Sequence, residues 1–98
     1  MSRSLVERRL TEVSARLRML RDELAVSDEQ LAFLAEQADD ARLRALVSET
    51  PLADREHQEA QRHADAMQRH RAELMESIAR LEATQDELLD RLTADAKP

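Results

Sequence analysis

Apolar residues recur along this chain at alternating steps of four and three. From Val6 the steps land on Leu10, Val13, Leu17, Leu20, Leu24, Ser27, Leu31, Leu34, Ala38, Ala41 and Ala45, one polar entry in an otherwise apolar series. A second series starts at Ala53 and lands on His57, Ala60, Ala64, Met67, Arg71, Leu74, Ile78, Leu81, Gln85, Leu88 and Leu92. A 3.5-residue period sustained over about five heptads is the pattern of a helix that buries one narrow seam against another helix. With Leu10 set as position a, the two series are the a and d positions of two helices, expected over residues 5–47 and 51–93.

Only the stretch Val47-Ser48-Glu49-Thr50-Pro51-Leu52 carries both a stop and a start. Proline lacks a backbone N–H and fits the first turn of a helix, so Thr50 is expected as the N-cap and Pro51 as the first helical residue. The chain therefore divides into an N-terminal extension (1–4), a helical hairpin (5–94) with its turn at 48–51, and a frayed tail (95–98). In an antiparallel hairpin the a positions of one helix face d positions of the other, and here the paired numbers have a constant sum. Val6 meets Leu92, Leu17 meets Leu81, Ala45 meets Ala53, and the two polar entries Ser27 and Arg71 fall in one layer.

The first helix carries more apolar residues than a two-helix seam uses. Its c positions read Leu5, Glu12, Met19, Val26, Phe33, Asp40 and Val47, five of them apolar. An apolar stripe on the flank of a hairpin is a surface for another chain. The fold expected is thus all-α, an antiparallel two-helix coiled-coil hairpin that dimerises into a four-helix bundle, with Leu5, Met19, Val26, Phe33 and Val47 as the self-association or partner-binding stripe. If the hairpin stays monomeric, the same stripe would bind and regulate a different protein, for instance a sigma factor or an RNA polymerase surface.

Composition narrows the function classes. The 98 residues are 37% charged and 1% aromatic, and include no Gly, Cys, Trp or Tyr. That is the signature of long helices rather than of a layered enzyme core. Without cysteine there is no disulfide, thiolate zinc site or thiol catalysis. The net charge of −6 argues against nucleic acid as a partner. Charge is also segregated: residues 3–21 hold six Arg against Glu7 and Glu12, whereas residues 22–40 hold seven acids and no base. No apolar run spans a membrane and no signal-type core follows the N-terminus, which assigns the chain to the soluble, cytoplasmic class.

The remaining candidates are polar. Ser27 and Arg71 in the seam, with Asp28, Gln30 and His70 on their flanks, form a layer that either fixes register or holds an anionic ligand, and Arg71 is long enough to reach outward to Asp28. His57, His63 and His70 lack the Glu-x-x-His spacing of bundle metal sites, so no metal or other cofactor is expected. No nucleophile sits beside a base and no glycine-rich loop occurs, so the chain is read as non-enzymatic. Of the acids around the turn, Asp39, Asp40, Glu49, Asp54 and Glu56, the last two suit the start of the second helix.

Two resemblances are partial. The spacings Glu23-x3-Ser27-x2-Gln30 and Glu73-x3-Ser77-x2-Arg80 resemble the first half of the motif by which actinobacterial anti-sigma coiled coils hold cyclic di-GMP. The Gln and Asp that continue that motif are replaced by Thr84 and Leu88 on the second helix and by Leu34 and Ala38 on the first, so no family follows. The expected architecture resembles the small plasmid RNA-binding hairpin dimers, with no motif residue in common.

Overall fold

The computed structural model describes residues 2–96, and side chains over residues 2–94. Two α-helices account for the fold, α1 (Arg3–Ser48) and α2 (Pro51–Ala96), joined by Glu49 and Thr50. The chain is an all-α helical hairpin. Among the described residues there is no strand.

Both helices start on a hydroxyl cap. The Thr50 Oγ1 accepts the Ala53 N–H at 3.2 Å, as the Thr50-Pro51 pair predicts. The Ser2 Oγ accepts the Leu5 N–H at 3.2 Å in the same way, so α1 begins at Arg3, two residues before the first apolar heptad position. At the other end, nothing from Thr93 to Ala96 stops a helix, and α2 includes Asp95 and Ala96, which the heptad pattern left to the tail. Lys97 and Pro98 of that expected tail lie outside the described residues.

The turn is closed without glycine. Glu49 has φ 50°, in the left-handed region, and its N–H donates to the Ala45 carbonyl at 3.0 Å. This is the single-bond left-handed cap of a helix C-terminus, where glycine is the usual residue because a Cβ is disfavoured there. Thr50 follows at once as the cap of α2, so one residue of reversed handedness turns the chain from one helix into the next.

Every a and d position of both series is buried or half-buried, and among residues 2–94 only Ser14, Ser77 and Thr84 join them. Three cross-helix contacts agree with the expected register. Ser14, beside Val13, bonds Gln85, which the pairing sets opposite Val13. Asp28, beside Ser27, bonds Arg71. Arg21, beside Leu20, pairs with Glu82 at 3.2 Å, one turn beyond the Ile78 set opposite Leu20. Near the turn the same register sets Arg42 beside Asp54 and Arg44 beside Glu56 as flanking pairs of opposite charge, and neither is among the ion pairs of the described residues.

The helices pair in two compact units, one formed by the chain up to Glu23 with the chain from Leu74 onward, the other by Leu24–Glu73. The first is held by bulky side chains: Val6, Val13, Leu17, Leu20, Leu74, Ile78 and Leu88 are buried. In the second the buried seam is Ser27 with Ala38, Ala41, Ala53 and Ala64, while Leu31, Leu34 and Met67 are half-buried. Hydrophobic stabilisation scales with apolar area removed from water, so an alanine seam contributes less per layer than a leucine seam.

Two measurements check this account. Glu49→Gly is expected to stabilise the hairpin by about 0.5–1 kcal/mol in urea titrations, the relief of the left-handed Cβ exceeding the entropy that glycine adds to the unfolded chain. Amide exchange is expected to be faster in the seam layers of Leu24–Glu73 than at Leu17, Leu20 and Ile78, because local opening there uncovers less apolar surface.

Candidate partner-binding surface

The heptad count places Leu5, Met19, Val26, Phe33 and Val47 on a single column of α1, away from the seam, and a helix with one neighbour leaves such a column in solvent. Each of these side chains is at least half exposed, Phe33 at 60% and Val47 at 87%. Isolated apolar residues on a surface are ordinary, but here they recur at c positions of α1, as Leu5 and Met19 in one unit and as Val26, Phe33 and Val47 in the other. Glu12 and Asp40, the polar members of the column, are exposed as well.

Phe33 is the most prominent feature of the Leu24–Glu73 unit. The small side chains of Ala41 and Ala60 leave an open groove of about 300 Å³ beside it, flanked by Arg44, Glu56 and His63. A second groove of about 400 Å³ runs between Phe33, Leu34 and Met67, with Gln30 at its edge. The alanine seam has a consequence here: what the interior lacks in bulk becomes relief on the outside, with the one aromatic ring standing over it.

Near the turn the exposed apolar surface widens beyond the column. Leu43, Leu46 and Leu52 are each more than half exposed, and with Val47 they flank the turn of the Leu24–Glu73 unit. Leu43 and Val47 line a groove of about 380 Å³ with Arg44 and Ser48. Leu43, Leu46 and Val47 stand at i, i+3 and i+4, the spacing of one helix face. Counting a single column in steps of seven finds Val47 and passes over its two neighbours. Met75 and Leu89, at e positions on α2, stay about half exposed beside the seam.

The polar layer brings Ser27, Asp28 and Arg71 together. Ser27 is 2% exposed. Arg71, opposite it, is half-buried, and its Nε donates to the Asp28 carboxylate, whose side chain is half exposed. The aliphatic stem of Arg71 occupies a seam position while its charge is carried to the rim. Gln30 and His70 are exposed and make no side-chain hydrogen bond or ion pair among the described residues, so they stand outside this layer. No buried side-chain nitrogen or oxygen of the described residues lacks a partner. A second polar contact, Gln85 Nε2 to Ser14 Oγ at 3.1 Å, lies in the other unit. Its seam member was visible in the heptads, but Ser14 at an e position was not.

The remaining motif residues are local. Arg80 donates to the Ser77 Oγ at 3.2 Å and lies 4.0 Å from Glu76, all within α2. His63 is 3.8 Å from Glu59, one turn before it. Among the described residues no group of three or more His, Cys, Asp or Glu is placed to hold a metal ion, and no helix is long and apolar enough to cross a membrane. The chain matches no family model, no characterised protein and no solved structure.

Replacing the layer tests its role. With Ser27→Leu and Arg71→Leu together, the hairpin is expected to gain about 1–2 kcal/mol in urea titrations, since a paired charge at a seam is outdone by well-packed apolar residues. Light scattering should show additional species, because one of the groups that oppose shifted pairings is then gone.

Proposed function

We propose that this chain is a non-enzymatic coiled-coil interaction module that pairs with a second copy of itself through the outer column of α1, making a four-helix bundle that serves as a small adaptor or regulator. The observation that carries the reading is the exposed column Leu5, Met19, Val26, Phe33 and Val47 on a helix whose seam is already satisfied. The grooves beside Phe33 present apolar relief and scattered charge, which suit packing against a helix.

A second reading is favoured by the turn-proximal cluster. Leu43, Leu46, Val47 and Leu52 offer a compact apolar end that fits a pocket on a different protein, as a regulator of a sigma factor or polymerase would require. The two readings separate in solution. Sedimentation of the wild type beside Val26→Glu with Phe33→Glu is expected to give a dimer and a folded monomer respectively. The hairpin's own stability should change by no more than about 0.5 kcal/mol, because both positions are exposed in the single chain. A wild type that sediments as a monomer overturns self-association and leaves the column for a heterologous partner.

A further inference from the structure

The positions of α1 that point away from the seam are b, c and f of the heptad. Between Leu24 and Ser48 these positions hold four acids, Glu29, Glu36, Asp39 and Asp40, and no base, and every one of these positions is exposed. Three of the acids crowd one turn. Glu36, Asp39 and Asp40 stand at i, i+3 and i+4, a spacing at which like charges weaken a helix. They lie too far from the N-terminus of α1 for its dipole to favour them. None of the three makes a side-chain hydrogen bond or ion pair among the described residues. The nearest bases on the helix, Arg42 and Arg44, occupy e and g positions beside the seam, where the register sets them next to Asp54 and Glu56. One turn beyond the acids the same face becomes apolar, as Leu43, Leu46 and Val47.

An apolar face bordered by charges of one sign selects its partner by charge as well as by shape. Resting on the second reading above, we infer that the face from Glu36 to Val47 docks a basic amphipathic helix of another protein. The apolar residues of that helix pack on Leu43, Leu46 and Val47, and its Lys or Arg side chains meet Glu36, Asp39 and Asp40. The face lies wholly within the Leu24–Glu73 unit and runs about 17 Å along α1, three turns of helix at 1.5 Å per residue. A groove of about 380 Å³ beside Leu43 and Val47 seats an apolar side chain. A second copy offering the same face would meet it acid to acid, so the occupant carries the opposite charge. Cations placed on the three acids also remove the repulsion that these acids exert on their own turn of helix.

Two synthetic helices separate the charge from the apolar contact: one with a leucine face flanked by lysine, and the same sequence with glutamate for lysine. In fluorescence anisotropy against the full chain, the lysine peptide is expected to bind, and more weakly as salt is raised, while the glutamate peptide stays free. Asp39→Asn with Asp40→Asn should weaken the lysine peptide several-fold. Asp86→Asn with Asp90→Asn, which removes the same charge from exposed positions of α2, should leave it unchanged. Leu43→Gln with Leu46→Gln should remove most of the binding. Every variant should keep the wild-type circular dichroism, because all six side chains are exposed. Equal binding of the two peptides, or equal losses from the two Asp→Asn pairs, overturns the basic partner and leaves the apolar cluster as a docking face. A lysine peptide that binds the Leu43→Gln with Leu46→Gln variant as well as the wild type, or no binding of either peptide, removes the second reading too.

Discussion

A chain with two helices gives each helix one neighbour, and that constraint governs the rest of this structure. Among residues 2–94 burial is confined to the a and d positions with three polar additions, Ser14, Ser77 and Thr84. In a larger bundle an apolar residue at c or f has some prospect of a second helix. Here the single chain supplies none, so Phe33, Met19 and Val26 remain in water with no fault in the folding of the hairpin. The exposed column is thus what pairing with a single neighbour leaves uncovered.

The turn sets which seam residues meet. Thr50 and Pro51 start α2 while Glu49, in the left-handed region, finishes α1, so few residues are available to absorb a slip. Any slip would move Arg71 away from Asp28 and Gln85 away from Ser14, leaving polar groups in an apolar seam. Turn and polar layers therefore specify the same register from different ends of the chain. The alanine-rich seam of Leu24–Glu73 gains from this, because small side chains discriminate poorly between neighbouring registers.

Most of the fold was legible because it is periodic. The seam, the turn, the Thr50 cap and the reach of Arg71 to Asp28 all follow from spacing, side-chain length and the properties of proline. What was not legible depends on local geometry. Ser2 caps α1 although no apolar position announces it, and Ser14 reaches Gln85 from the flank of the seam. Leu43, Leu46 and Leu52 were hidden for a different reason. A column count in sevens sees one strip of a helix, whereas exposure near a turn adds the residues three and four apart and the start of the next helix. The oppositely charged pairs near the turn show the converse limit. Sequence proximity across two helices does not oblige flexible, solvated side chains to close an ion pair.

The seam and the outer column hold their polar residues differently. In the seam, Ser27 and Arg71 interrupt an apolar series at one layer and are satisfied only in one alignment of α1 with α2. On the outer column, Glu12 and Asp40 interrupt a shorter apolar series, and both are exposed to water. A polar interruption weakens an interface least in the alignment that gives it a partner, so it selects that alignment over those the apolar residues alone would accept. Glu12 stands one turn from Arg8, Arg9 and Arg16 of its own helix and Asp40 one turn from Arg44, so the outer column, unlike the seam, carries no polar group that only one alignment satisfies.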